Sequence, residues 1–223
     1  MRDSSTRFRL AVTAVFAALF FIFAPVAAAH VPVLIREASP SAAVLIDDPE
    51  LSTAFYGTLT GFPHTYEIRS SEPFLLHVEV REPDVSDARD NVSGIIVMER
   101  PEGGRVEEVA RLSSPAPWPS EFEFWGGDRY RVGPTFEREV RPGTYRIEVS
   151  TPDNDGARYV LVMGTREELT LGYGELLGRI GDVKAFFGKS RIALVESPFA
   201  YVPVLIALSV LIFFVVRRRR LIA

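Results

Sequence analysis

The side chains of this 223-residue chain with chemistry to offer are three histidines, a set of carboxylates and an aromatic cluster. Cysteine is absent, which excludes thiol catalysis, thiolate metal sites and disulfides. His30 directly follows Ala27-Ala28-Ala29, small residues of the kind a signal peptidase reads. Cleavage there would free an α-amine beside the His30 imidazole, and those two nitrogens suit Cu(II) in a tetragonal site. His77 falls in an alternating stretch and His64 in a loop, so either is a candidate second ligand. No H-x-H spacing or methionine cluster accompanies them, and three solvent-facing histidines is the competing reading.

Asp47-Asp48-Pro49-Glu50 and Asp153-Asn154-Asp155-Gly156 are oxygen-rich turns. Calcium takes six to eight oxygens, and such turns supply part of a set, yet neither has the twelve-residue loop spacing. Local Asx turns account for both more simply. The expectation is therefore no resident cofactor, with copper and calcium as alternatives. No serine stands in a G-x-S-x-G setting, and no pair among the acidic residues singles itself out as a glycosidase pair. A non-enzyme is expected.

Phe122, Phe124, Trp125, Tyr130 and Phe136 crowd into fifteen residues, beside Arg129 and Arg131, with Trp118 just upstream. Exposed Trp, Tyr and Arg dominate recognition hot spots. Trp118, Phe124, Trp125, Arg129 and Tyr130 are thus the candidate ligand-binding residues. Rings that simply cap a hydrophobic core are the alternative.

A β-sandwich is the element set that would position these groups. From about residue 52 to 164 the hydrophobic period is two. Phe74, Leu76, Val78 and Val80 face one way, while Leu75, His77 and Glu79 face the other. Tyr145, Ile147 and Val149 alternate with polar residues, whereas in 157–163 both Tyr159, Leu161, Met163 and Val160, Val162 are apolar. That last strand should be buried on both faces. Further strands are predicted over 53–59, 65–69, 94–99, 106–112 and 135–140, separated by Gly- and Pro-rich turns. After Gly164 the period becomes helical: Leu169, Tyr173, Leu176, Ile180, Val183 and Phe187. This stripe predicts a juxtamembrane helix that packs on the sandwich or lies at the lipid interface, with docking to another membrane subunit as the alternative.

The ends point to a membrane. Arg2, Arg7 and Arg9 precede an apolar run from Leu10 to Phe23, so 1–29 reads as a signal peptide, with an uncleaved anchor as the alternative. Residues 199–216 carry no charge and are long enough to span a bilayer. Arg217 to Arg220 follow at once and should hold residues 217–223 in the cytoplasm. The predicted organisation is a signal peptide (1–29), an extracytoplasmic sandwich (30–165), a juxtamembrane segment (166–198), a transmembrane helix (199–216) and a basic tail. Between the two ends lie 18 of the 25 basic and 28 of the 29 acidic residues, a net charge near −10 that argues against nucleic acid as a partner.

The segments IDDPELSTAFYGTL (46–59), HTYEIRSSEPFLLHVEV (64–80), GIIVMERPEGG (94–104) and VRPGTYRIEVSTPDNDGARYVLVMG (140–164) resemble, in order, the bacterial pre-peptidase C-terminal domain. The closing hairpin, Gly143-Thr144-Tyr145 with Tyr159-Val160-Leu161-Val162, is the most specific part. The resemblance implies an antiparallel, all-β, jelly-roll-like sandwich that binds substrates, matrix or neighbouring domains without doing chemistry. The insert 105–133 and the lack of an accompanying catalytic domain depart from the family pattern. The function expected is a membrane-anchored extracytoplasmic module that recognises a protein or glycan. A structural subunit of a membrane complex and a copper protein using His30 are the alternatives.

Overall fold

Strands that alternate apolar and polar residues have one greasy face each, and two sheets of them can bury those faces only against one another. The computed structural model describes residues 30–99, 106–168 and 171–222 and shows this arrangement. Among the described residues there are eleven strands: β1 (Val31–Leu34), β2 (Val44–Ile46), β3 (Thr53–Thr60), β4 (His64–Ser70), β5 (Phe74–Pro83), β6 (Ser93–Glu99), β7 (Val106–Leu112), β8 (Ser120–Glu123), β9 (Asp128–Val140), β10 (Gly143–Ser150) and β11 (Asp155–Met163). They form a six-stranded sheet, β1-β3-β11-β5-β9-β8, and a five-stranded sheet, β2-β4-β10-β6-β7. Pairing is antiparallel except for β1 on β3 and β2 on β4, which run parallel. The signal-peptide expectation for 1–29 lies outside the described residues.

The main core lies between the sheets. Leu59, Ile68, Leu76, Val78, Ile96, Ile147 and Leu161 have no exposed surface. Tyr159 lies in the same core; its hydroxyl is 2.7 Å from that of Tyr66 and 2.7 Å from His64 Nδ1, so both tyrosines are buried with their hydroxyls satisfied.

A second core lies on the outer face of the six-stranded sheet. Tyr173–Phe186 forms helix α1, which lays Val183 onto Ala54, Tyr56, Tyr130, Val160 and Val162, with Phe187 just beyond its end. Hence β11 is buried on both faces, as its unbroken apolar run predicts. Of the two settings expected for this helix, packing on the sandwich is the one observed. Four of the predicted stripe residues, Leu176, Ile180, Val183 and Phe187, are buried, while Tyr173 is half exposed and Leu169 lies outside the described residues. Arg158 Nη1 donates to the Phe186 carbonyl at 2.8 Å and so caps the α1 C-terminus with positive charge. A 3-10 turn, Arg191–Glu196, then leads into α2, Pro198–Ile222. The stretch Pro198–Val215 is long and apolar enough to cross a membrane.

Strand predictions in the centre of both sheets match the structure to within a residue or two. Missed were β1, β2 and β8, three or four residues each, because so short a run shows no periodicity. The predicted strand over 135–140 is the second half of the longer β9, whose Gly133-Pro134 interrupts the pattern where the β5 pairing is bulged.

Gly57 on β3 faces Tyr159 so closely that a Cβ would lie 2.5 Å from the ring. Gly57→Ala should therefore displace the Tyr159 network and cost about 2 kcal/mol by overpacking. A thermal melt of this variant in detergent should show a clear fall in midpoint, and an unchanged midpoint would mean that the ring has room to yield.

Candidate functional site

The aromatic insert folds as β8, a tight turn and the start of β9, and it reaches the root of α2 rather than open solvent. Glu123 accepts the backbone N–H of Trp125 at 2.7 Å and of Gly126 at 2.6 Å, which closes the turn. Gly127 has φ +78 and approaches Glu196 so closely that a Cβ would lie 2.6 Å from its carbonyl oxygen. Only glycine meets both demands. Ser197, wholly buried, donates its hydroxyl to the Trp125 carbonyl at 2.6 Å. The Trp125 ring lies 5.3 Å from Phe199 in the first turn of α2, and Phe124 meets Trp125 edge-on at 5.2 Å. Tyr173, from the other side, donates to the Phe199 carbonyl at 2.7 Å.

Beneath this clasp lies a four-charge cluster. Lys184, on the buried face of α1, has no exposed surface, and Asp128 is almost as enclosed. Lys184 Nζ lies 3.0 Å from Asp128 Oδ2, 2.9 Å from Glu196 and 3.3 Å from the Gly127 carbonyl. Lys189 Nζ lies 2.9 Å from Asp128 Oδ1 and 2.7 Å from Glu196. Two cations and two anions thus cancel and join three elements: the β9 start, α1 with its following turn, and the last residue of the 3-10 turn. Burial opposes the Lys189 charge, but Glu196 and Asp128 outweigh it and raise its pKa. Hydrogen bonds from Lys189 and Lys184 hold the Glu196 carboxyl below its usual range. These are the only two lysines in a chain with 25 basic residues.

Alongside, a small cavity of about 50 Å3 opens between α1 and the sheet, with His30, Arg81, Glu123, Trp125 and Tyr130 among its walls. Its polar groups are mutually matched. The Tyr56 and Tyr130 hydroxyls are 2.9 Å apart, Arg81 bonds Glu79, and His30 Nδ1 bonds Ser52 Oγ. Burial raises the Glu123 carboxyl and the Tyr130 phenol. Burial, with the nearby Arg81 charge, lowers His30 to about 4.

Of the five predicted ligand-binding residues, only Phe124 and Arg129 are exposed; Trp125 is half-buried against Phe199. Trp118 and Tyr130 are buried, Tyr130 also lining the small cavity. Trp118 belongs to the main core, where its backbone N–H meets the Asp90 carboxylate at 3.1 Å, and Tyr130 belongs to the second core. Both rings therefore pack into hydrophobic cores.

The three histidines do not converge. His30 and His77 share the outer face of the six-stranded sheet, where His77 Nδ1 lies 2.8 Å from Glu137. His64 is no loop residue: it opens β4 and is buried against Tyr159. Tyr159 stands five residues along β11 from Gly164, whose N–H bonds the His77 carbonyl, so about 17 Å of strand separates the two ends. Asp48 accepts the N–H groups of Glu50 and Leu51 at 3.2 Å and pairs with Arg166, while Asp153 and Asn154 bond Thr151. Both acidic turns are thus locally engaged. Among the described residues no group of three or more His, Asp or Glu side chains converges as a metal site.

Sequence reasoning missed Lys184, Asp128, Lys189, Glu196 and Ser197. One signal was present: Lys184 falls four residues after Ile180, on the apolar stripe of a predicted helix, where an unpaired lysine could not stay.

No family model matches the chain, and no curated protein sequence matches it. Among solved structures, the pre-peptidase C-terminal domain of a collagenase from Bacillus anthracis aligns over 56% of this chain and 97% of its own, at 16% identity and TM-score 0.36. The Yersinia pseudotuberculosis-derived mitogen aligns over 56% of this chain and 92% of its own, at 10% identity and TM-score 0.33. A CBM35 from Cellvibrio japonicus Abf62 aligns over 51% and 74%, at 17% identity and TM-score 0.27. The family that the sequence motifs resemble is thus among the solved structures the chain resembles. At these scores the likeness is weak, and the sandwich described above rests on this chain's own strands.

Two outcomes follow from the buried charges. Lys184→Met leaves Asp128 enclosed beside one cation and should cost about 3–5 kcal/mol in chemical denaturation, with Lys184→Met/Asp128→Leu recovering most of it; equal losses in single and double variants would contradict the pairing. His30 has a folded pKa below its ordinary 6.5, so the unfolded chain binds the extra proton between the two values. Stability should be complete above about pH 6.5 and decline toward pH 4 by about 3 kcal/mol, and His30→Gln should flatten that slope in urea midpoints.

Proposed function

We propose that this chain is a non-catalytic accessory module, held outside the cytoplasm by one C-terminal membrane helix, that recognises a protein or glycan with the sheet face opposite its anchor. The observation that carries the reading is the clasp at the root of α2. Ser197 and Phe199 lock onto Trp125, and Glu196 joins Asp128, Lys184 and Lys189. An apolar helix so tied gives the sandwich a fixed stance on a bilayer. The basic, apolar and small-residue pattern of 1–29 supports export, and the four arginines after 216 support a cytoplasmic tail.

The outer face of the five-stranded sheet is an open surface. There the loop Pro40 to Ala43 stands over Thr65, Glu67, Ile95, Val97 and Arg146, leaving an open groove of about 590 Å3. Its floor is ordered: Arg146 lies 2.8 Å and Arg69 2.6 Å from the Glu67 carboxylate, and the hydrogen bond from Arg146 leads in lowering that pKa. A rigid floor of alternating charge and aliphatic surface suits recognition with little ordering cost. On the opposite face the Tyr56 and Tyr130 hydroxyls meet, Arg81 bonds Glu79 and His77 lies beside Glu137.

Protease added to intact cells should remove the ectodomain while a tag after Ala223 stays protected; the reverse pattern would overturn the topology. A photoreactive residue at Thr65 should yield a discrete adduct that the same residue at Glu139 does not. Identical products from both positions would overturn the groove assignment.

A further inference from the structure

Several large apolar side chains are exposed around the first turn of α2, and they are not scattered. Ile192 is 79% and Val195 63% exposed. In a 3-10 turn residues i and i+3 eclipse, so these two form one apolar ridge, three to six residues before Pro198. Phe124, 53% exposed, meets Trp125 edge-on, which in turn meets Phe199. Tyr173, half exposed, is tied through its hydroxyl to the Phe199 backbone. Lone exposed hydrophobic residues are ordinary, but here a ridge, an edge-on ring pair and a tyrosine all adjoin the start of a helix whose first 18 residues are apolar.

We infer that Phe124, Trp125, Tyr173, Ile192 and Val195 form a foot that sits in the headgroup region of the bilayer crossed by α2. The inference rests on the reading of α2 as a membrane span. Continuity identifies the occupant: Trp125 and Tyr173 touch the first turn of the span and Ile192 and Val195 precede it by three to six residues, so a bilayer that takes α2 to Pro198 comes within reach of these side chains. Their types fit as well. Trp and Tyr place an apolar body and a polar edge at the interface, and Ile, Val and Phe enter the outer acyl region. The lipid contact and the clasp beneath it would hold the sandwich at one tilt, rather than leave it to swing on a tether.

The chain has only two tryptophans, one in the foot and one in the core, which gives a direct test. The full chain is reconstituted in phosphatidylcholine vesicles that carry bromine either near the glycerol backbone or near the chain ends. With Trp118→Phe, the emission of Trp125 should be quenched at least about twofold more by shallow than by deep bromine. With Trp125→Phe, the emission of Trp118 should respond to neither. Ile192→Glu/Val195→Glu, at sites too exposed to unfold the protein, should lower the shallow quenching. Trp125 open to aqueous iodide, or shielded from both lipid and iodide as by a protein partner, would overturn the foot. Flotation of the same vesicles separates the two levels: protein that floats without Trp125 quenching keeps the anchor and loses the foot, whereas protein that does not float loses the anchor itself.

Discussion

The contact between the Lys184 ammonium and the Asp128 carboxylate, both enclosed, constrains everything around it. Neither charge can be left alone in so dry a place, so α1 cannot leave the sheet without stranding Asp128, and the β9 start cannot move without stranding Lys184. Lys189 and Glu196 complete the neutral set from the outside and carry the constraint to the residue before Ser197. From there Ser197, Trp125 and Phe199 transmit it to α2. The sandwich and the apolar helix are thereby one mechanical unit. Apolar replacements of similar volume could pack in its place, but they would remove these specific pairings.

The second core makes that unit possible. A strand buried on one face needs only a partner sheet, whereas β11 places Val160 and Val162 outward and so demands a cover. Helix α1 supplies it, and Phe187 and Phe186 close the edge against Tyr130 and Tyr56 at 5.1 and 5.3 Å. The six-stranded sheet is therefore used twice, inward against the other sheet and outward against α1. Among the described residues no helix covers the five-stranded sheet, and the loop over it leaves a groove.

Much of this was legible in the residues. Alternation located the central strands, the doubly apolar run of β11 announced a cover, and the change of period after Gly164 located the helix that provides it. The aromatic insert was harder. Trp118 and Tyr130 look like recognition residues by type, and only the register of β9 shows that Tyr130 faces α1 and that Trp118 tucks against Gly133. The ionic cluster was the least legible, because Asp128, Lys184, Lys189 and Glu196 belong to three separate segments. No local pattern joins positions fifty-six residues apart in sequence, and only the lysine on an apolar stripe hinted at a buried partner.

That the clasp is closed and dry can be read from the reactivity of the two lysines. In full-length protein in lipid nanodiscs, brief treatment with an amine-acylating reagent followed by peptide mass analysis gives the labelling rate at each. The account predicts that Lys189, with about a third of its side chain exposed, labels readily, while Lys184 labels on the order of a hundredfold more slowly or not at all. Comparable rates at the two positions would show that solvent reaches Asp128 and Lys184, and that sandwich and helix are not locked together.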